Sequence, residues 1–376
     1  MGPLEGVRVV EIAGIGPGPF CAMLLADMGA DVVRVDRPAA EDSPGLPQLL
    51  GRGRRSLVVD LKHERGAEVV LRLAAYADAL IEGFRPGVAE RLGIGPDVCL
   101  ARNPRLVYGR MTGWGQDGPL RHAAGHDIDY IAVAGALHPI GQQGRAPVPP
   151  LNLLGDYGGG GLLLAFGIAC GLLEARRSGQ GQVIDAAIVD GAALLTTMVH
   201  ELAPLGLWNE RRGTNLLDGG APFYGVYETA DGEHMAVGAL EPKFYAELLG
   251  RLGLDAGDLP APADRARWPQ LRERLAAVFR TRTRAEWCEL LEGSDACVAP
   301  VLRPSEAPAH RHNLERGTFV PVGGSPQPAP APRFSRTPPE VRCPPPPPGQ
   351  TDDAALAAWG FAAGDIDALR AAGALG

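Results

Sequence analysis

Two hydrophobic periods alternate along the first half of the chain. Residues 7–11 form a short run with Val7, Val9 and Val10, the mark of a buried strand. Glycines and prolines at 14–19 punctuate it. The apolar residues of 20–28 then recur at helical spacing and stop at Gly29, a residue suited to ending a helix. Asp31–Asp36, with valines at 32, 33 and 35, returns to a strand. A strand–helix–strand unit of this kind predicts a parallel sheet. The alternation continues with strands at 56–61, Ala79–Glu82, 106–109 and 183–188, and helices at 66–77, 162–178 and 190–201. Arg176, Arg177 and Gly179 mark the end of the helix at 162–178.

After residue 200 the character changes. Asp231-Gly232 between residues 223–229 and His234–Gly238 predicts a β-hairpin. Helical patterns follow at 244–252 and 268–280. Residues 321–347 are dense in proline, and the stretch closes on the five prolines 344–348. Such a stretch predicts an extended connector, since proline cannot sit in a helix interior. Two short helices at 353–359 and 365–372 end the pattern. The expected organisation is a large open Rossmann-like α/β domain at 1–200, a linker at 201–220, a smaller α+β domain at 221–317, a proline-rich linker at 318–350 and C-terminal helices at 351–376.

Composition narrows the class. The 376 residues are 45% hydrophobic and 21% charged, enough apolar content for more than one core. A formal net charge of −8 argues against a nucleic-acid binder, which needs a basic footprint. The six cysteines, Cys21, Cys99, Cys170, Cys288, Cys297 and Cys343, contain no CxxC pair and no zinc spacing, so free thiols in a reducing cytoplasm are expected and no metal. The apolar stretch at 161–173 reads as glycine-broken and too short to span a bilayer. Gly14 and Gly16 open a GxGxxG pattern, but its third place holds Pro19, and starting at Gly16 it holds Cys21. That failure argues against a nicotinamide site.

Candidate chemistry concentrates in two glycine-flanked stretches, Gly125-His126-Asp127-Ile128-Asp129-Tyr130 and Gly155-Asp156-Tyr157 followed by glycines 158–161. They offer an imidazole and a carboxylate. One acid and one base on opposite faces of a carbon could invert it. Alone, His126 reads as readily as a surface histidine, and Asp156 as an N-cap of the next helix. The run of four glycines argues for a ligand lying against the main chain, because it costs backbone entropy and caps nothing. Arg37, Arg52, Arg54, Arg55, Lys62, Arg85 and Arg91 follow strands and could rim the sheet as a phosphate site, or be solvated surface charges. Glu241, just before Pro242, reads by position as a loop carboxylate.

Several stretches together resemble the class III CoA-transferase (CaiB/BaiF) family. They are Leu4-Glu5-Gly6-Val7-Arg8-Val9-Val10-Glu11, Met28-Gly29-Ala30-Asp31, Gly53-Arg54-Arg55-Ser56, Glu82-Gly83-Phe84-Arg85-Pro86-Gly87, Glu90-Arg91-Leu92-Gly93, Thr112-Gly113-Trp114-Gly115 and Trp359-Gly360-Phe361. The resemblance spans essentially the whole chain. His126, Asp156 and Glu241 together match the family's racemase branch. It implies that His126 and Asp156 are an acid/base pair epimerising 2-methylacyl-CoA thioesters through an enolate. It also implies that Glu241 orients His126 and that backbone N–H groups near Asp127 or Asp156 hold the thioester oxygen. The alternatives are CoA transfer with Asp156 as nucleophile, and a silent CoA-ester binder. The resemblance implies CoA contacts at Arg37, Val59, Asp60, Leu61, Lys62, Gly83, Phe84, Arg85 and Arg91, with Gly125, Asp127, Ile128, Asp129 and Tyr130 along the pantetheine. No cofactor beyond the substrate's own CoA is implied. An interlocked homodimer, with each site shared between subunits and the C-terminal helices returning to the large domain, is. Two departures stand out: Phe84 replaces a common tyrosine, and the chain has only six methionines where such racemases carry a methionine-rich acyl surface.

Overall fold

The computed structural model describes residues 2–38, 50–347 and 350–376. Pro348, the last of the five prolines, lies outside them. Contacts divide the chain into two compact units. The first holds the chain up to Ala134, Leu151–Leu195 and His312–Gly376, and the second holds Gly135–Pro150 and Thr196–Arg311. The sequence pattern runs the first domain unbroken to residue 200, but the contacts take Gly135–Pro150 out of it. Arg212 fixes that stretch in the second unit, donating from Nε to the His138 carbonyl (2.7 Å) and from Nη1 to the Arg145 carbonyl (2.5 Å).

The first unit is built on six parallel strands: β1 (Arg8–Ile12), β2 (Asp31–Asp36), β3 (Arg54–Val58), β4 (Ala79–Glu82), β5 (Val107–Thr112) and β6 (Gln182–Ala187). Their order is β3-β2-β1-β4-β5-β6, which reverses direction between β1 and β4. In open sheets of this order, ligands bind beyond the carboxyl ends of the strands at such a reversal. Helices cover both faces. On one lie α1 (Pro17–Asp27), through Cys21, Ala22 and Leu25, and the later helix Leu163–Ser178, through Leu164, Ile168 and Leu172. On the other lies α2 (Gly66–Tyr76), through Val69, Val70 and Leu73, together with C-terminal residues including Leu356, Trp359, Phe361 and Leu369. Burying each large aliphatic side chain contributes about 1.5–3 kcal/mol. Trp359 is fully buried, and its indole N–H donates to Asp31 (2.9 Å).

Further along are α3 (Asp127–Val133), a ten-residue π-helical segment (Leu153–Leu162), α4 (Leu163–Ser178) and α5 (Ile188–Leu195). The π-helical segment and α4 form one continuous 26-residue helix, long and apolar enough by composition to cross a membrane, with 44% of its apolar window buried in the protein. The expected glycine break is absent because those glycines pack rather than loosen the helix, as described below. The helix expected at 190–201 is interrupted at Thr196. The proline-dense stretch opens with an antiparallel hairpin, Phe319–Val322 paired with Ser325–Pro328, instead of running extended from its start. Its Pro328 carbonyl accepts from Arg52 (2.7 Å).

The second unit carries a three-stranded antiparallel sheet, Tyr224–Glu228, His234–Gly238 and Val298–Pro300, with the expected turn at Gly232. Helices Pro242–Leu252, Trp268–Phe279 and Arg284–Leu291 pack on it around Leu248, Leu275, Phe279 and Trp287. Thr283 and Glu286 form a capping box at the start of the last of these helices, which sequence periodicity did not reveal.

Candidate active site

The loop that leaves β1 and the segment that follows β5 meet the π-helical segment at one edge of the sheet. His126 is the N-cap of α3, with extended backbone (φ −131°, ψ 176°), and is solvent-exposed. Its own N–H donates to Asp129 (2.9 Å), so the short helix starts with a side chain from its third residue closing the first turn. Tyr130 lies one turn on, its hydroxyl donating to the Gly125 carbonyl and its ring edge-on to Trp114 at 4.8 Å. A side chain on Gly113 or Gly125 would collide with the Tyr130 ring, which explains glycine at both places.

Asp156 sits inside the first turns of the π-helical segment, where an N-cap is excluded. It is half-buried. Asn152 stands 3.5 Å from its Oδ2, and Gly16, held at φ +70°, faces the same oxygen from the β1–α1 loop. Burial raises the Asp156 carboxyl above its ordinary value, and the negative charge of Asp127 adds to the rise. The Asn152 hydrogen bond and His126 pull it down. The two candidate bases therefore feel one another within a single unit.

Asp127 is buried and joins the two stretches. Its Oδ1 accepts the backbone N–H of Asp156 (2.7 Å), while its Oδ2 is buried without a partner. That contact removes the Asp156 N–H from the donors expected to hold a thioester oxygen. The N–H groups of Asp127 and Ile128, in the first turn of α3, have no helical partner and remain available.

Three of the four glycines serve packing. A Cβ on Gly159 would stand 2.7 Å from the Ala192 nitrogen, on Gly160 3.0 Å from Pro17 Cβ, and on Gly161 2.6 Å from the Pro17 carbonyl oxygen. Gly159, Gly160 and Gly161 are buried, and they let the π-helical segment lie directly on α1 and α5. The entropic cost of a glycine run is offset by backbone-to-backbone contact that no other residue permits.

The basic rim is smaller than expected. Arg52 pairs with Asp27 (2.6 Å), Arg54 with Glu11, and Arg55 with Asp31 (2.6 Å), the first two pairs buried. Arg37, Lys62, Arg85 and Arg91 remain exposed. Arg37 follows β2, Val59, Asp60, Leu61 and Lys62 follow β3, and Gly83, Phe84 and Arg85 follow β4, all at the carboxyl edge. Val59 is the first residue after β3. Its side chain is fully buried, its N–H donates to the Asp36 carbonyl (2.8 Å), and it bridges to Leu375. The loop after β4 is held from beneath: Arg110 bonds Glu82 (2.9 Å) and Glu90 (2.8 Å), and the second Glu82 oxygen accepts the Phe84 N–H (2.7 Å). Arg85 reaches close enough to Tyr130 to oppose the rise that burial and Asp156 impose on its hydroxyl.

In the second unit Glu241 is exposed. It is the N-cap of helix Pro242–Leu252 rather than a plain loop residue, and its side chain makes no cap bond. The described cysteines are all free, and no group of three or more metal-binding side chains occurs among the described residues.

Residues 4–352 match the model of CoA-transferase family III. The chain is 52% identical to the mouse alpha-methylacyl-CoA racemase over 336 residues, 89% of this chain and 87% of that protein. It is 50% identical to the human alpha-methylacyl-CoA racemase over 345 residues, 89% and 90%. Its fold overlays a crystal structure of a CaiB/BaiF family protein from Brucella suis with a TM-score of 0.82 at 25% identity, covering 95% of this chain and 99% of that one.

Proposed function

This chain belongs to CoA-transferase family III, and we propose that within it the protein is an α-methylacyl-CoA racemase, interconverting (R)- and (S)-2-methylacyl-CoA thioesters. The observation that carries the reading is the pairing of an exposed imidazole, His126, with a half-buried carboxylate of raised pKa, Asp156, at the reversal point of the sheet. From the S-substrate, His126 takes the C2 proton. The C–H electron pair moves into the C1–C2 bond, and charge collects on the thioester oxygen. Protonated Asp156 then delivers a proton to the other face of C2. The R-substrate runs the same steps backwards, each residue in the opposite role. The Asp127 N–H, and that of Ile128 beside it, are the donors we assign to the developing oxyanion.

Arg37, Lys62, Arg85 and Arg91 would take the phosphates of CoA. Asp60, Leu61, Gly83 and Phe84 would take its nucleotide, and Gly125, Ile128, Asp129 and Tyr130 its pantetheine arm. No further cofactor is required, and the cytoplasm is the compartment we assign. We assign Glu241 to the orientation of His126 in a homodimer, supplied by the partner subunit. Exposed apolar side chains on α4 and α5, Leu162 at their approach, Phe166, Leu173, Leu194 and Leu195, are consistent with a surface that a second copy covers. Solvent-deuterium exchange at C2 of (R)- and (S)-2-methylacyl-CoA, followed by NMR with no acceptor acid present, tests the reading. Exchange and inversion of both enantiomers are expected. CoA transfer that depends on a second carboxylic acid, with hydroxylamine trapping an Asp156 anhydride, would overturn it.

A further inference from the structure

The Asp127 carboxylate lies against Asp156 and follows His126 directly in the chain, and the mechanism above uses only its backbone. It is buried, one oxygen accepts the Asp156 N–H at 2.7 Å, and the other has no partner. The approach depends on Gly155: a Cβ there would stand 2.3 Å from Asp127 Oδ1 and 3.0 Å from Ile131 Cγ2. The charged and titratable groups around Asp156 are His126, Asp127 and Tyr130 from α3 and its cap, with the neutral Asn152 on its own helix and Gly16 opposite.

We infer that the Asp127 side chain is a positioning residue for the second base, fixing the backbone of Asp156 and setting a negative charge beside its carboxyl. This rests on the reading of Asp156 as an acid/base group. A two-base racemase must hold imidazole with carboxylic acid and imidazolium with carboxylate at comparable populations, because each direction starts from a different one of the two. Ordinary aspartate and histidine differ by roughly 2.6 units, a several-hundred-fold preference for imidazolium with carboxylate. Burial of Asp156 and the charge of Asp127 act together to narrow that gap, against the pull of His126 and Asn152. One residue then serves two partners: its N–H faces the developing oxyanion, and its carboxylate holds the base on the far side of the carbon.

Asp127→Asn keeps an acceptor for the Asp156 N–H and removes the charge; Asp127→Ala removes both. Racemisation kcat/KM is measured across pH, and the equilibrium between enantiomers ties the two directions to one profile. Removing a negative neighbour makes Asp156 easier to ionise, so the acid limb of the profile moves to lower pH in Asp127→Asn, with a rate loss of roughly tenfold. Asp127→Ala loses roughly 100-fold in kcat at little cost in KM, since a base displaced by an ångström fails in chemistry before binding. A wild type that exchanges normally while Asp127→Asn reproduces its acid limb overturns this inference alone, and Asp127→Asn decides the matter if Asp127→Ala fails to fold. A wild type that exchanges no α-proton overturns the racemase reading and this inference with it.

Discussion

Gly16 and Asp156 lie so close that a Cβ on Gly16 would stand 3.0 Å from Asp156 Oδ2. The β1–α1 loop thus forms one wall of the carboxylate's position, and glycine is required there twice over, for space and for its φ of +70°. Gly16→Ala should cost about 1–3 kcal/mol of stability, because its backbone (φ +70°, ψ −118°) lies in a region that side-chain-bearing residues rarely occupy. It should also cut racemisation by more than tenfold, as the displaced carboxylate loses its aim. Thermal unfolding and kcat measured side by side check both parts. Full activity in a destabilised variant would show that Asp156 does not depend on this wall.

His126→Ala should remove the base for one enantiomer and the acid for the other. Inversion is then expected to fall by roughly 10²–10⁴ in both directions while CoA-ester binding persists. Washout of the C2 proton from the R-substrate alone is expected to survive in part, because Asp156 still reaches it. Isotope exchange into each enantiomer separates these outcomes, and unchanged exchange from both would refute the two-base assignment.

Mixing inactive subunits tests whether Glu241 acts across the dimer. If it does, a heterodimer of Asp156→Ala and Glu241→Ala chains contains one site with every residue intact. Random reassociation should then restore about a quarter of wild-type activity. No recovery, with heterodimers verified by mass, would place Glu241 in the same chain as the site it serves.

The ion pair of Arg54 with Glu11 is fully buried, and Glu11 Oε1 and two Arg54 nitrogens lack partners. Removing one member, as in Arg54→Ala, strands a charge and should destabilise by about 3–5 kcal/mol. The double change Arg54→Met with Glu11→Leu should cost far less. Denaturant midpoints for the single and double variants give the comparison, and equal losses would mean that the pair itself is stabilising.

Residue type alone offered His126 and Asp156 only as an imidazole and a carboxylate, each with an ordinary reading beside it, and the family resemblance was what joined them to Glu241. The alternating periods also mark all six parallel strands to within three residues at either end, most closely where a strand is a buried valine-rich run such as β2. Other features depend on what a side chain meets across space. Arg52, Arg54 and Arg55 look like a phosphate rim until Asp27, Glu11 and Asp31 are found against them. Glycines 158–161 suggest room for a ligand until α1 and α5 are found against Gly159, Gly160 and Gly161. Asp127 looks like a routine acid in the first turn of a helix, and nothing in the sequence points its carboxylate at the Asp156 N–H. The helix at Arg284–Leu291 is short and weakly patterned, and its best local signal was the pair Thr283 and Glu286.

The first unit is finished by residues far from those it covers. Val10, Val33, Leu57 and Leu80 line a face of the sheet whose covering includes Leu356, Trp359, Phe361 and Leu369. At a ribosomal rate of about 5–20 residues per second, the gap between Tyr108 and Ala355 keeps part of that face uncovered for roughly 10–50 s of synthesis. During that interval a greasy, strand-edged surface is open to chaperones and to neighbouring chains. The yield of active protein in a cell should therefore depend more on translation speed and chaperone supply than the stability of the finished fold would indicate.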